Sequence, residues 1–329
     1  MLAVVLAGAA TLGTALASAG TLNGAGSTLI APLEQEWATS WQDGTGNILS
    51  YAPIGSSGGI ARISGRLVDF GTSEAPLSPA DAAGCNGCVQ IPWALSAVAV
   101  PFNLAGVTRL RLTGRVLAAI YLGRITSWNS PSIRKLNPGV ELPTETITPV
   151  HQGDGAGASF AFSGYLSRVS PSWASKVGSS TTITWPTGVA ATDDAQMMAA
   201  VASTPGAIGY TGASYAVSRE LAVAAIRNAA GRFEYPNGVN IENAARSVTT
   251  VPADNALDIV DPPAQHRIAY PISTFSYVIV PTTTVQSELL KSFIGFALNE
   301  GQSFDGALDF APLPAVVRSA AERALGTIN

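Results

Sequence analysis

Short apolar runs alternate with amphipathic segments along most of the chain. In residues 31–42, Leu33, Trp37 and Trp41 recur every four residues, which predicts a helix with one buried face. Apolar stretches bounded by glycine, proline and asparagine predict strands over residues 47–54, 67–77, 91–104 and 270–281. Regular alternation of the two kinds of segment is typical of an α/β fold.

Helical periodicity recurs in other segments. The segment 59–67 places Ile63 and Leu67 on one helical face, and both side chains are predicted to be buried. A longer helix is predicted over residues 111–128, with Gly123 as a candidate end of its first part. Near the end of the chain, helices are predicted over residues 287–301 and 315–326.

Three glycine-rich turns share one design, since each follows a predicted strand and opens a predicted helix. They are turn 1 (residues 23–28, NGAGST), turn 2 (residues 54–59, IGSSGG) and turn 3 (residues 153–159, GDGAGAS). Glycine lets the backbone come close to a ligand, and the first N–H groups of a helix favour a negative charge. Together the three turns predict a cradle for an oxyanion.

The composition excludes several classes of function. The net charge is −4 and no stretch is rich in Lys or Arg, so neither a nucleic-acid-binding surface nor one for anionic membranes is predicted. Two Cys and two His in 329 residues exclude a large zinc framework. We therefore predict no metal and no cofactor.

The first 19 residues carry no charge and consist mostly of small apolar side chains. This pattern is typical of the core of a secretory signal, and small-residue cleavage patterns occur at residues 15–17 and 17–19. A transmembrane anchor is the alternative, although the many Gly, Ala and Thr residues make the segment weakly apolar for a span. The sequence thus predicts an exported protein, periplasmic or at the cell surface.

Cys85 and Cys88 lie in a turn rich in Gly and Asn. A C-x-x-C pair can be a redox motif in a cytosolic chain, but an exported protein favours a structural disulfide. We therefore predict a local disulfide that holds a loop.

In their order along the chain, the motifs resemble those of bacterial periplasmic phosphate-binding proteins, the solute receptors of phosphate ABC importers. The matching segments are NGAGSTLIAPL, IGSSGGI, VDFGTSEAPLS, YLGRITSWNSPSIRKLNPGVELP, DGAGASFAFSGYLS and TPGAIGY. The resemblance implies a type II fold of two α/β lobes joined by two crossover strands, with the ligand between the lobes. Lobe 1 would comprise residues 20–97 and 271–329, and lobe 2 residues 98–270.

The resemblance also implies a set of ligand-binding residues. Thr28 and Leu29 match the phosphate contacts of turn 1, and Ser56 matches that of turn 2. Glu74 stands where the family usually has the aspartate that accepts the phosphate proton. In turn 3, backbone N–H groups at Gly157 and the residue after it would bind the ligand.

Turn 3 departs from the family pattern. Gln152 replaces the family's arginine, Ala156 and Ala158 replace its two hydroxyl residues, and Asp154, which orients the arginine in the family, is kept. The changes remove the paired, charge-assisted hydrogen bonds of a guanidinium and two hydroxyl donors. We therefore expect weak binding of phosphate or a related oxyanion, unless an arginine such as Arg62 or Arg66 supplies the missing charge.

Two other functions remain open. One is a surface or scaffold protein that has kept the receptor fold, has lost or changed its ligand and assembles with itself. A receptor that has kept its transport role would instead have an ABC permease as its partner. The other is a serine hydrolase, because residues 55–59 fit G-x-S-x-G with Ser57 as nucleophile. Its candidate partners are Asp193, Asp261 and His266. A binding protein without enzymatic activity is the main prediction.

Overall fold

The computed structural model describes residues 19–153, 155–218 and 221–329. The predicted signal segment lies outside these ranges except for its last residue, and Asp154 lies outside them too. Within them, no helix combines the length and the apolar character that a membrane span requires.

Strands and helices alternate in the first third of the chain, as the hydrophobic pattern predicts. The elements are β1 Thr21–Gly26, α1 Ala31–Thr45, β2 Ile48–Pro53, α2 Ser56–Ser64, β3 Phe70–Ser73, α3 Pro79–Cys85 and β4 Cys88–Ala99.

The middle of the chain contains shorter strands and more connections. Its elements are β5 Arg111–Leu112, α4 Gly114–Tyr121, α5 Pro131–Arg134, β6 Thr148–Gln152, α6 Gly157–Val169, α7 Pro171–Lys176, β7 Val189–Ala191, α8 Asp194–Ser203, β8 Ala207–Ile208, β9 Thr211–Gly212, α9 Ala213–Ser218, β10 Ala225–Arg227, β11 Phe233–Glu234 and α10 Gly238–Ala245. The last part of the chain contains β12 Ser273–Pro281, α11 Ser287–Leu298, a 3₁₀ helix Glu300–Leu308 and α12 Ala315–Leu325.

The largest sheet joins the beginning and the end of the chain. Its strand order is β2-β1-β3-β12-β4-β9, and β12 runs antiparallel to β4 and to β3. The middle of the chain forms two three-stranded sheets, β11-β10-β5 and β7-β6-β8. The resemblance implies crossovers in the predicted strands 91–104 and 270–281, which contain most of β4 and β12, and these two strands are neighbours in one sheet. The boundaries of the two lobes stay a prediction.

Aromatic side chains fill the core around Trp93 of β4 and in the middle segment. Trp37 packs edge-on against Trp93 at 5.1 Å between ring centroids, and Phe293 contacts Trp93 at 5.9 Å. In the middle segment, Phe162 stacks on Tyr210 at 4.5 Å. Such contacts bury large apolar surfaces and fix the faces of α1, α6 and α11.

Two predictions about helices need correction. The helix predicted over residues 111–128 is confined to α4, which ends at Tyr121, because Gly123 shortly after it adopts a left-handed φ of 70°. Leu67 is 67% exposed because α2 ends at Ser64, before the predicted face reaches it. Ile63, one turn earlier, is buried as predicted.

The predicted disulfide between Cys85 and Cys88 is present, and it joins the end of α3 to the start of β4. Cys85 is buried against Ile63 and Ile279. The Arg66 guanidinium donates to the carbonyl oxygens of Cys85 at 3.0 Å and Asn86 at 2.9 Å, so a side chain also secures this loop.

Replacing both cysteines by serine is expected to lower the free energy of unfolding by about 2 kcal/mol, because closing so short a loop removes little entropy from the unfolded chain. Urea unfolding of the oxidised protein and the double variant measures the difference. Ligand affinity should not change, since the disulfide packs behind α2 and not on the three turns. A double variant that unfolds normally but loses its ligand would contradict this prediction.

Candidate functional site

Turn 1 continues directly from β1 and is hydrogen-bonded to β3, where the Ser27 N–H donates to the Thr72 carbonyl oxygen at 3.2 Å. Gly26 has a φ of 150°, and a side chain there would overlap the Thr72 carbonyl oxygen, so glycine is required. The Ser27 N–H donates to Thr72 Oγ1 at 2.9 Å, which anchors the turn. Ser27 Oγ in turn accepts from the Leu29 N–H at 3.0 Å. This geometry directs the Ser27 hydroxyl toward the end of β3.

Turns 2 and 3 meet turn 1 at the same place. Ser56, the first residue of α2, is completely buried. The Ser57 N–H donates to the Gly155 carbonyl oxygen at 2.9 Å, which joins turn 2 to turn 3. A methyl group on Gly157 would overlap the Glu74 carboxylate, so the N-terminus of α6 lies against that side chain. The three predicted turns therefore converge.

Glu74 lies at the point of convergence, and its side chain is 1% exposed. Its carboxylate accepts hydrogen bonds from Ser27 Oγ at 2.6 and 2.7 Å, from Ser56 Oγ at 2.9 Å and from Ser276 Oγ at 3.1 Å. Burial raises the pKa of Glu74 to about 7, although the three hydroxyl donors act in the opposite direction, and the nearby Asp194 carboxylate raises it further. A carboxylate thus lies where hydroxyl groups and a helix N-terminus would hold an oxyanion.

Thr28 makes a contact that the sequence did not predict. Its hydroxyl donates to Asp194 Oδ2 at 2.6 Å. Asp194 Oδ1 accepts from Thr211 Oγ1 at 2.7 Å and from the Gly212 N–H at 2.8 Å. This buried carboxylate therefore ties turn 1 to β9 and to the start of α8, across 166 residues of sequence.

The comparisons with known proteins agree with this geometry. A family model described as the PBP superfamily domain matches residues 12–300. The phosphate-binding protein PstS of Xylella fastidiosa strain Temecula1 is 36% identical over 300 residues, covering 89% of this chain and 81% of that protein. The PstS of Haemophilus influenzae is 31% identical over 315 residues, covering 94% of each chain. This chain belongs to the PstS family of the PBP superfamily.

Solved structures of the PBP superfamily confirm the two-lobed α/β fold. The phosphate-binding protein of Stenotrophomonas maltophilia matches with a TM-score of 0.74 and 20% identity, over 93% of this chain and 94% of that one. A high-affinity periplasmic phosphate-binding protein bound with phosphate matches with a TM-score of 0.76 and 21% identity, over 92% and 93%.

Turn 3 shows what the departures from the PstS pattern mean in three dimensions. Gln152, at the end of β6, is 1% exposed, and neither its amide oxygen nor its amide nitrogen has a hydrogen-bond partner among the described residues. Ala156 and Ala158 are also buried and offer no side-chain donor. The position that the resemblance assigns to the family's arginine thus holds a neutral side chain without a described partner, and Asp154 lies outside the described residues.

Arg62 and Arg66 are the two arginines that could replace the missing positive charge, and no described hydrogen bond joins their side chains to the three turns. Arg66 is bonded to the disulfide loop, and Arg62 projects from α2 as an exposed side chain. The ion pairs among the described residues all lie away from the three turns, at Arg168–Asp258, Arg232–Glu234, Arg246–Glu242 and Lys291–Glu288. No described ion pair therefore supplies the missing positive charge.

The hydrolase alternative gains no support from the position of Ser57. Its hydroxyl donates to Thr181 Oγ1 at 2.9 Å, a residue that cannot act as a general base. None of the hydrogen bonds of the described residues joins it to Asp193, Asp261 or His266. Ser57 instead helps turn 2 to contact turn 3.

The sequence does not predict three residues of this candidate site, which are Ser27, Ser276 and Asp194. Ser27 precedes Thr28 in turn 1, and this position is the signal that could have marked it as a candidate site residue. Asp194 begins α8, where a carboxylate is favoured by the helix dipole alone, and its hydrogen-bond partners lie far away in sequence or in a short strand. Ser276 is one of several small polar residues in β12, and no local signal distinguishes it.

Proposed function

We propose that the protein is an exported receptor that binds phosphate or a related oxyanion between two lobes and delivers it to an ABC permease. The observation that carries this proposal is the convergence of three hydroxyl groups and the α6 N-terminus on one buried acceptor, Glu74. The names of the relatives support phosphate as the ligand, and a phosphate-bound structure of the same fold supports the cleft.

The chemistry of the described residues suits an oxyanion. Ser27 and Ser56 provide hydroxyl donors, and the first backbone N–H groups of α6, from Gly157 onward, add donors and the positive end of the helix dipole. Leu29 would contribute the backbone N–H at the opening of α1, which in the structure donates to Ser27 Oγ at 3.0 Å. We infer that these groups bind the oxyanion, with Glu74 as the acceptor for its proton.

Calorimetric titration of the mature chain with phosphate, arsenate, sulfate and an organic phosphate tests the proposal. We expect weak but measurable binding of phosphate and arsenate. Ser56→Ala should weaken phosphate binding by roughly tenfold or more, because a donor is lost in a closed cleft. Ser132→Ala, which removes an exposed hydroxyl from α5, is the control and should bind as the parent does.

A second function is favoured by two particular observations, the unpaired Gln152 amide and the Thr28 hydroxyl that is bonded to Asp194. Both reduce the number of donors for phosphate. A receptor-fold surface or scaffold protein would bind no member of the ligand panel and would self-assemble. Size-exclusion chromatography with light scattering, run beside the titrations, distinguishes this function from that of a receptor.

A further inference from the structure

The proposed ligand site contains two buried carboxylates and no described cation. Glu74 and Asp194 are buried, and each accepts at least three hydrogen bonds from the surrounding turns. Gln152 is neutral, and Arg62 and Arg66 are directed elsewhere. A hydrogen phosphate dianion would therefore add two negative charges to a site that already holds carboxylates.

The directions of the hydrogen bonds add a second constraint. Because the Thr28 hydroxyl gives its proton to Asp194, its oxygen can offer a ligand only lone pairs. An ionised Glu74 can likewise only accept. The Ser27 and Ser56 hydroxyls also give their protons to Glu74, so they can donate to a ligand only when Glu74 releases them. The site therefore presents acceptors first, and it best matches an oxyanion that itself carries protons.

We infer that the protein takes up a proton from solvent when it binds its oxyanion, so that phosphate and Glu74 together hold one proton more in the complex than separately at mildly alkaline pH. This inference rests on the proposed function. The proton comes from water, no bond to phosphorus changes, and the bound pair is either dihydrogen phosphate with Glu74 carboxylate or hydrogen phosphate with Glu74 carboxylic acid. Both descriptions contain the same number of protons, so the uptake does not depend on which oxygen holds the proton.

The surroundings of Glu74 favour this uptake. Ser27 of turn 1, Ser56 of α2 and Ser276 of β12 contact its carboxylate, and Gly157 of α6 lies against it. None of these residues is charged. Burial keeps the pKa of Glu74 near 7, so little free energy is needed to keep one proton on the pair.

Two titratable groups among the described residues act on Glu74, and neither provides a positive charge. The Asp194 carboxylate disfavours a second negative charge nearby. Burial raises the pKa of Tyr51 well above its usual range, so this phenol stays neutral while its hydroxyl donates to the Ser27 carbonyl oxygen. Protonation of the Glu74–oxyanion pair is therefore the available way to reduce the charge.

Calorimetry of phosphate binding in two buffers with different ionisation enthalpies measures the proton uptake directly. At about pH 8.5 we expect about one proton per phosphate, and the dissociation constant for total phosphate should rise about tenfold per pH unit above that point. Glu74→Gln should bring the uptake close to zero, because the shared acceptor is lost. Glu242→Gln, which neutralises an exposed carboxylate on α10, is the control and should leave the uptake unchanged.

The possible outcomes separate this inference from the proposed function. Phosphate binding with no proton uptake and a pH-independent affinity would overturn the inference and leave the receptor function intact. Sulfate binding as tight as phosphate binding and without proton uptake would overturn it too, since the site would then hold a dianion beside an ionised Glu74. No binding of phosphate at any pH would overturn the proposed function, and the inference with it.

Discussion

Replacing Gly59 by alanine is expected to lower the free energy of unfolding by about 3 kcal/mol or more, the upper range for overpacking a core. A Cβ at this position would lie 2.6 Å from both Gly26 Cα and the Thr72 carbonyl oxygen, and 2.8 Å from the Ala25 carbonyl oxygen. These are backbone atoms of β1 and β3, which cannot rotate away as a side chain can. The helix α2 would have to move off the sheet and take Ser56 with it.

Urea unfolding followed by circular dichroism measures the loss. The matched control is Gly65→Ala at the end of the same helix, where φ is −79° and the nearest atom to a Cβ is 3.4 Å away. We expect the control to unfold within about 0.5 kcal/mol of the parent, as most surface substitutions do. If Gly59→Ala were as stable as this control, the close packing of α2 on β1 would be refuted.

The sequence predicts the fold to the extent that the fold depends on local patterns. Two long apolar stretches, at residues 91–104 and 270–281, predict β4 and β12. A strand that is buried on both faces has apolar side chains along most of its length. The glycines before α1, α2 and α6 likewise indicate the three turns, since a close backbone approach tolerates no side chain. Turns 1 and 2 follow strands of the six-stranded sheet and turn 3 follows β6 of another sheet, so their convergence depends on how the sheets pack, which no local pattern shows.

The candidate site is less predictable because its hydrogen bonds are distant in sequence. Thr28 and Asp194 are 166 residues apart, and Glu74 and Ser276 are 202 residues apart. Nothing in the local sequence indicates that the Thr28 hydroxyl donates to a carboxylate and is therefore not free to donate to a ligand. The resemblance to phosphate receptors suggests which residues to examine, but only the packed structure shows what each hydroxyl does.

The Glu74 side chain illustrates the same difference between residue type and role. From the sequence, a glutamate in place of aspartate is a conservative change that keeps a proton acceptor. In the structure, its carboxylate accepts from hydroxyls of turn 1, turn 2 and β12 together and lies against Gly157. The donors meant for an oxyanion are thereby engaged by the chain itself, so a ligand has to compete with Glu74 for them.

Restoring the family pattern of turn 3 is expected to raise phosphate affinity by several kcal/mol. The triple variant Gln152→Arg, Ala156→Ser and Ala158→Thr adds a guanidinium and two hydroxyl donors, and each restored donor contributes about 1–3 kcal/mol. Position 152 is where the resemblance places the family's arginine, and the Gln152 amide there is buried without a described partner. Gln152→Arg alone should recover part of the gain, and that part should shrink as salt is added. Calorimetric titration with phosphate at low and high salt measures both effects.

The matched control places the same charge outside the site. Gln35→Arg, on the exposed face of α1, should leave phosphate affinity close to that of the parent, which separates a local cation from a change in net charge. The new arginine at position 152 should also reduce the proton uptake, because a guanidinium offsets the charge that the proton otherwise offsets. A folded triple variant that binds phosphate no better than the parent would show that the cleft geometry, and not the missing donors, limits binding, and would favour the scaffold function.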